Sequence, residues 1–483
     1  MDKTELLTYT NSVLQTLQKY ICISRPRRFG KSITASMIAA YYSRGCDAKE
    51  LFSPYKIARN LDFDTYRNKY NTLFLNMQEF LSRTKNIYKL LDRMKRLVLR
   101  DLKREYPNVD YFDDTDLIES MQDVYQETNC PFVVIIDEWD CIFREYKQDK
   151  EAQEIYLDFL RDMLKDKSCI ALAYMTGILP IKKYGTHSAL NMFDEFSMIN
   201  PGPLASYVGF TELEVAALCT DYHMDLDEIK AWYNGYSFEK IPSIYNPRSV
   251  VSCMRFGKIG NYWNQTETFE ALQIYIDMNF EGLKDDVLSM IAGESVPVNT
   301  GSFTNDMTTF RTEDDVLTLL IHLGYLSYDY ENKTVKIPNN EVREEYVNSV
   351  SVSDWGEISK ALKNSADTLQ AIWQGRIQQA HFETSHIQYN DENALSYTVS
   401  LALYAARNFY TIHREFAGGK GFADMVFLPR KKFPDKPALV IELKWDHSAQ
   451  GAITQIKQKQ YCESLKEYHG NLLLVGIDRK TSC

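Results

Sequence analysis

The sequence predicts an α/β protein with a parallel sheet in its first half and a second sheet near its C-terminus. Two observations support this prediction. A short β-rich run, YICIS, leads through a loop into a helical segment, and later apolar runs alternate with helical patterns, as in a parallel α/β sheet. Residues 385–478 instead follow the order αβββαβ, in which consecutive strands form a hairpin-like pair.

Length and composition limit the broad class of protein. A chain of 483 residues is too long for one hydrophobic core and favours roughly two to four domains. Its net charge of -11 argues against coating nucleic acid through bulk electrostatics, although a local basic patch can still bind phosphate. The nine cysteines form no CxxC pair, which argues against zinc. No signal peptide and no run of about 18 apolar residues is present, so we expect a cytoplasmic protein that makes no use of a membrane.

The first motif is a phosphate-binding loop in residues 24–33, SRPRRFGKSI. In the pattern GxxxxGK[ST] the first glycine would fall at position 25, where this chain has Arg25. The order strand, loop, helix still places backbone amides and the positive end of a helix dipole around a phosphate. The alternative is a basic turn before a helix. The expected nucleotide contacts are Arg28, Phe29, Gly30, Lys31, Ser32 and Ile33, with Lys31 reaching the β- and γ-phosphates and Ser32 holding Mg²⁺.

Polar residues at the ends of later strands complete the expected site. The run PFVVIIDEWD predicts a buried strand that ends in Asp137 and Glu138. Asp137 is placed to orient Mg²⁺ and Glu138 to activate water, although such acids can also merely cap a strand. Further strands are expected at NTLFLNM, at CIALAYMTG, which ends in Thr176 near the γ-phosphate, and at DEFSMI. Ligands of parallel sheets bind at the carboxyl ends of strands, where these side chains lie.

A family resemblance follows from the order of RPRRFGKS, VVIIDEWD, TGI, SALNMFDEFSM, YVGFTELEV, WYNGYSF and YNPRSV. This order resembles the AAA-ATPase-like family of bacterial proteins, from Asp2 to roughly residue 285. The resemblance implies a P-loop NTPase core at 1–205, with ATP as ligand and assembly into a homo-oligomer through this domain. It also makes Arg25 a family trait rather than a sign of decay.

The middle of the chain predicts two accessory modules. Residues 206–285 are rich in helical patterns and aromatic residues, which fits a helical lid. Arg248, in NPRSV, can reach the nucleotide from this lid or make a surface ion pair instead. Residues 286–355 contain a helix followed by two short strands around an ENK turn, a pattern that resembles a winged-helix connector. Such a module binds DNA in some proteins and only packs in others.

The last motif lies in the strand ALVIELKW. Side chains of a strand alternate, so Leu439, Ile441 and Leu443 share one face while Glu442 and Lys444 share the other. Asp424, on the preceding strand, is expected to approach Glu442. Two carboxylates and a lysine can hold Mg²⁺ and position an activated water against a phosphodiester. The alternative is a half-exposed strand with ordinary charged residues.

The pattern GFAD, then IELK, then a helix resembles the PD-(D/E)XK nuclease superfamily over about 95 residues. The resemblance implies a restriction-endonuclease-like domain at 356–483, catalysis by Asp424, Glu442 and Lys444, and metal binding by the two acids together with Glu392 on the first helix. The leading interpretation is an ATPase fused to a Mg²⁺-dependent DNA nuclease that nucleotide turnover controls. The alternatives are a nucleotide-switched scaffold whose nuclease-like domain only binds, and a DNA-binding regulator centred on the connector.

Overall fold

The computed structural model describes most of the chain. The described residues are 1–84, 86–181, 190–238, 240–263, 269–278, 280–304, 308–352, 357–374, 399–418, 421–445, 454, 456 and 471–479. Among them, no helix has the length and apolar character needed to cross a bilayer.

The helices are α1 (Glu5–Val13), α2 (Lys31–Tyr42), α3 (Lys49–Phe52), α4 (Phe63–Tyr66), α5 (Met77–Thr84), α6 (Ile87–Glu105), α7 (Leu117–Thr128), α8 (Cys141–Glu145), α9 (Lys150–Leu164), α10 (Glu212–Tyr222), α11 (Leu226–Tyr233), α12 (Pro247–Phe256), α13 (Phe269–Ile276), α14 (Leu283–Ala292), α15 (Glu313–Leu323), α16 (Asn340–Val352), α17 (Glu357–Lys363) and α18 (Ser365–Trp373). Short 3₁₀ turns lie at Lys56–Arg59, Gly202–Leu204 and Tyr404–Asn408.

The strands are β1 (Tyr20–Ser24), β2 (Asn71–Asn76), β3 (Phe132–Asp137), β4 (Ile170–Gly177), β5 (Asp194–Phe196), β6 (Phe210–Thr211), β7 (Tyr236–Phe238), β8 (Ile241–Tyr245), β9 (Val296–Pro297), β10 (Ser327–Asp329), β11 (Thr334–Lys336), β12 (Tyr410–Gly418), β13 (Gly421–Pro429), β14 (Ala438–Trp445) and β15 (Leu472–Arg479).

The first sheet has five strands in the order β2-β3-β4-β1-β5, and each neighbouring pair is parallel. Every residue of β1, β3 and β4 is buried, as continuous apolar runs predict for a parallel sheet that is covered on both faces. The parallel sheet is therefore confirmed, including the short fifth strand. Because the strands run in one direction, the loop after β1 and the polar ends of β2, β3 and β4 lie at one edge.

The chain folds as two compact units. The first comprises Met1–Thr266 and Ser295–Val342, and the second comprises Glu267–Glu294 and Arg343–Cys483. The finer division into 1–205, 206–285, 286–355 and 356–483 stays a prediction.

Two small modules of the first unit follow the sequence pattern. The region expected to be a helical lid contains α10, α11 and α12 around a sheet of order β6-β8-β7. Its core is formed by the buried side chains Val215, Cys219, Ile229, Tyr233, Tyr245, Val250, Cys253, Met254 and Tyr262. In the region expected to be a winged-helix connector, α15 precedes the antiparallel pair β10 and β11, and β9 adds a third strand.

The second unit contains a four-stranded mixed sheet of order β12-β13-β14-β15. Strand β13 is antiparallel to both of its neighbours, β12 and β14, whereas β15 runs parallel to β14. Leu439, Ile441 and Leu443 belong to one buried cluster, while Val440 packs in another, so the predicted alternation of β14 is confirmed. The strand order of the predicted αβββαβ pattern is present. The helix expected around 392–408 is described from residue 399 onward, where a short helical stretch leads into the 3₁₀ turn Tyr404–Asn408. The helix expected around 453–468 lies largely outside the described residues.

Candidate functional site

The phosphate-binding loop joins β1 to α2, and its backbone explains why glycine is absent from position 25. Two loop residues have a left-handed backbone, Arg28 at φ 66° and Gly30 at φ 95°, and Gly30 is the residue that precedes the first turn of α2. Arg25 has no positive φ. Because only a left-handed backbone strongly favours glycine, the loop does not need one where the usual pattern begins.

The Arg25 side chain is buried and holds the start of the loop in place through hydrogen bonds to backbone carbonyls. It is fully buried, and its Nη1 donates to the backbone carbonyls of Ser24 and Phe196, each at 2.9 Å. The guanidinium lies 5.1 Å from the ring centroid of Phe238. Burial lowers the pKa of Arg25 to about 10. The arginine therefore ties the start of the loop to β5 and to β7.

Lys31 lies at the first position of α2 and is 4% exposed. Its Nζ donates to the carbonyls of Arg25 and Pro26, both at 2.9 Å, so the loop holds the ammonium group in place. Burial lowers the pKa of Lys31, whereas the nearby carboxylates of Glu138 and Asp140 act in the opposite direction. The lysine thus faces the acidic residues that follow β3.

The polar ends of β2, β3 and β4 are aligned by the sheet register. Asn76 is opposite Asp137, and Asp137 is opposite Thr176. The Thr176 hydroxyl donates to the Asp137 carboxylate, and the Asn76 amide lies 3.5 Å from it. Both neighbours therefore orient Asp137, which is 1% exposed. A direct contact between Thr176 and a phosphate stays a prediction.

Glu138 is held by a second set of charged residues. Its backbone is left-handed, at φ 56°, and its carboxylate accepts a hydrogen bond from Arg144 Nη2 on α8. Arg144 Nε also lies 3.2 Å from Asp140 Oδ2. Burial alone would lower the pKa of Arg144, but the carboxylates of Asp140 and Glu138 outweigh burial and raise it.

A cavity of about 1340 Å³ connects these groups. Arg28 to Ile33 line it on one side, and Asn76, Glu138 and Arg144 line it on another. Its remaining lining mixes apolar and aromatic side chains, such as those of Phe52 and Tyr207, with charged ones that include Arg248. A large cleft that combines a phosphate-binding loop with apolar surface matches a nucleotide, which has a polyphosphate and a base. The Ser32 hydroxyl lines the cavity and the Asp137 carboxylate lies at the adjacent end of β3, and both offer the oxygen atoms that Mg²⁺ prefers as ligands.

The second group of site residues lies on β13 and β14. Met425 is opposite Ile441 in the last pair of the antiparallel ladder between these strands, and Asp424 and Glu442 are the next residues beyond that pair. Asp424 Oδ2 accepts a hydrogen bond from the Leu443 amide at 2.6 Å, and Glu442 is 1% exposed.

Two predicted residues of this second group, Lys444 and Glu392, cannot be placed in full: the backbone of Lys444 is described but its side chain is not, and Glu392 is not described at all. Lys444 is opposite Asp478 of β15 in the register of β14, but its side chain is not among the described ones. Glu392 lies outside the described residues altogether. Among the residues that the structure describes, no group of three or more His, Cys, Asp or Glu side chains is arranged to hold a metal ion.

Comparison with known families agrees with both predicted domains. Residues 1–186 match the model of a predicted AAA-ATPase, and residues 392–481 match that of the PD-(D/E)XK nuclease superfamily. The chain carries both domains. The AAA-ATPase-like domain contains the phosphate-binding loop, and the nuclease superfamily domain contains Asp424, Glu442 and Lys444. The architecture predicted from the motifs is confirmed, although the first match ends well before residue 285.

Individual relatives are distant. An uncharacterized protein in the vnfD 5' region of Azotobacter chroococcum is 31% identical over 143 residues, which is 28% of this chain and 27% of the relative. The ORC2 protein of Aeropyrum pernix in its ADPNP-ADP complexes is 12% identical at a TM-score of 0.30, over 72% of this chain and 91% of that one. The Aeropyrum pernix ORC1 protein in complex with DNA is 12% identical at a TM-score of 0.28, with the same coverage.

Three residues of the AAA-ATPase-like domain escaped sequence reasoning. Asn76 ends the strand NTLFLN, and its position at a strand end was the available signal. Asp140 and Arg144 are four residues apart in DEWDCIFRE, a spacing typical of an ion pair on a helix. Neither signal indicates that Arg144 also contacts Glu138, a residue with a left-handed backbone.

Proposed function

We propose that the AAA-ATPase-like domain binds and hydrolyses ATP with Mg²⁺. The observation that supports this proposal is the cavity shared by Lys31, Ser32 and Glu138, with Asp137 at the adjacent strand end. Lys31 binds the β- and γ-phosphates, and the amides at the start of α2 surround them. Ser32 and Asp137 would hold Mg²⁺, which would offset phosphate charge when bound. Glu138 orients the attacking water.

The first experiment measures ATP binding by calorimetry and hydrolysis by phosphate release. Lys31→Ala removes the phosphate-binding cation and is expected to weaken ATP binding by tenfold or more (about 1.5–3 kcal/mol for a hydrogen bond to a charged group). Glu138→Gln is expected to slow hydrolysis at least about a hundredfold without weakening binding. Lys103→Ala, a change at a partly exposed lysine of α6 that pairs with Asp114 and does not line the cavity, is the matched control. Equal ATP affinity in the wild type and Lys31→Ala would refute the proposal.

We further propose that the PD-(D/E)XK domain is a Mg²⁺-dependent DNA nuclease. The positions of Asp424 and Glu442 on neighbouring strands, each next to the last paired residues Met425 and Ile441, support this proposal. Two nearby carboxylates repel each other when both are ionised, so Asp424 and Glu442 would hold a divalent cation that offsets this repulsion and would supply an activated water when bound. Glu392 is proposed as a further metal ligand. Lys444 is proposed to orient that water or to stabilise charge on the phosphate.

The second experiment is plasmid cleavage in the presence and absence of Mg²⁺. Lys444→Ala is expected to abolish Mg²⁺-dependent nicking, because the remaining residues cannot replace its charge near the phosphate. Lys363→Ala, at an exposed lysine on α17, serves as the control and is expected to cleave normally. Cleavage by Lys444→Ala at the wild-type rate would contradict the assignment. DNA binding without cleavage by the wild type would favour the alternative, a nuclease-like domain that only binds.

A further inference from the structure

Arg144 occupies a position between two carboxylates of different character. One partner is Asp140, whose side chain is fully buried, and the other is Glu138, whose side chain is 24% exposed. The Arg144 side chain itself is 10% exposed. A charged side chain with one buried and one accessible partner can lose the accessible contact while it keeps the buried one.

The buried partner is fixed by the backbone. Asp140 Oδ2 accepts hydrogen bonds from the amides of Ile178 and Leu179, at 3.0 and 2.9 Å. These amides follow β4 directly, so Asp140 is anchored to the end of the central strand. Charge-assisted hydrogen bonds of this kind are costly to break when buried. Asp140 therefore holds the Arg144 side chain beside the cavity whether or not Arg144 is also paired with Glu138.

The accessible partner lies where a nucleotide binds. Arg144, Glu138 and Lys31 all line the same cavity. A terminal phosphate held by Lys31 carries more negative charge than one carboxylate. An arginine binds phosphate oxygens through two parallel N–H donors, so the phosphate competes directly with Glu138 for the guanidinium.

We propose that Arg144 exchanges Glu138 for the terminal phosphate of a bound nucleoside triphosphate, which frees Glu138 to orient water. This inference rests on the proposed ATP site. Without nucleotide, the ion pair keeps Glu138 from acting. With a triphosphate, Arg144 contacts the γ-phosphate and remains anchored by Asp140. With a diphosphate, the phosphate that attracts Arg144 is missing, so the residue distinguishes the two nucleotide states.

The test compares the affinities of ADP and a non-hydrolysable ATP analogue, measured by calorimetry. The wild type is expected to bind the analogue more tightly than ADP. Arg144→Ala is expected to weaken analogue binding by about tenfold or more while changing ADP binding little, as expected for loss of one charge-assisted contact. Arg144→Lys retains the charge but not the paired donors. Its affinity for the analogue is expected to lie between those of the wild type and Arg144→Ala. A purely structural role would lower both affinities by the same factor, and that result would overturn the inference.

A second variant tests the exchange through Glu138 and leaves the Arg144 side chain itself unchanged. Glu138→Gln removes the charge that competes with the phosphate, so the preference for the analogue over ADP is expected to rise. In the double variant with Arg144→Ala this gain is expected to disappear, because the two effects act through one contact. An unchanged preference in Glu138→Gln would overturn the exchange.

The same measurements separate this inference from the proposed function. A wild type that binds neither nucleotide would refute the ATP site and the exchange together. A wild type that binds both nucleotides equally would leave the ATP site intact and refute only the role of Arg144. Equal melting temperatures of the variants and the wild type would show that the affinity changes do not come from loss of folding.

Discussion

Gly177 shows how closely side chains pack at the end of β4. A Cβ atom at this position would lie 2.6 Å from Trp139 Nε1 and 2.9 Å from Asp140 Oδ1. Both side chains are fully buried, so neither can move into solvent. The glycine is needed here for close packing beside the residues that anchor Arg144.

Gly177→Ala is therefore expected to destabilise the fold by about 1–3 kcal/mol, the usual cost of overpacking a core. The measurement is the thermal unfolding midpoint of the full chain. Gly260→Ala is the control, because a Cβ at Gly260 would meet no atom within 4 Å. A midpoint for Gly177→Ala equal to that of this control would show that the neighbouring side chains can rearrange.

Helix α12, in the region predicted to form the lid, contributes lining residues to the cavity. Pro247, Arg248 and Val251 of this helix line the nucleotide cavity. The helix begins after Asn246, whose side chain accepts hydrogen bonds from the amides of Arg248 and Ser249. Proline at the first helical position also favours a helix start there. The cap thus fixes where the helix starts and where Arg248 lies.

Asn246→Ala is expected to remove the cap and cost about 1 kcal/mol of stability, because two backbone donors lose their acceptor. We also expect weaker nucleotide binding, since the first turn of α12 would be less ordered. Asn246→Asp keeps an acceptor oxygen and is expected to behave like the wild type. Thermal unfolding and calorimetric ATP titration measure the two effects. Identical behaviour of the alanine and aspartate variants would contradict the role of the cap.

In the complete chain, the two proposed chemistries lie in different compact units. We propose that nucleotide state controls nuclease access or activity, and the plasmid assay tests this with and without ATP. Lys31→Ala is expected to remove any effect of ATP on cleavage, because the variant no longer holds the nucleotide. Glu442→Gln is expected to abolish cleavage while leaving ATP hydrolysis near normal. ATP-dependent cleavage that persists in Lys31→Ala would contradict control through this site.

Local sequence patterns were sufficient to predict the features that depend on neighbouring residues. Continuous apolar runs predicted β3 and β4, and the GKS motif between a strand and a helix located the phosphate-binding loop. Alternation in ALVIELKW placed Glu442 on the face opposite Ile441, which is part of a buried cluster. Local periodicity fixes such features because side-chain direction follows directly from strand geometry.

Contacts between distant residues of the nucleotide site became visible only in the folded chain. Arg25 contacts the Phe196 carbonyl across 171 positions of sequence, and Asp140 binds amides 38 and 39 positions away. Glu138, which pairs with Arg144, has a left-handed backbone that no residue preference predicts for glutamate. Strand order and backbone conformation set these contacts, and both are determined by packing of the complete sheet rather than by local sequence.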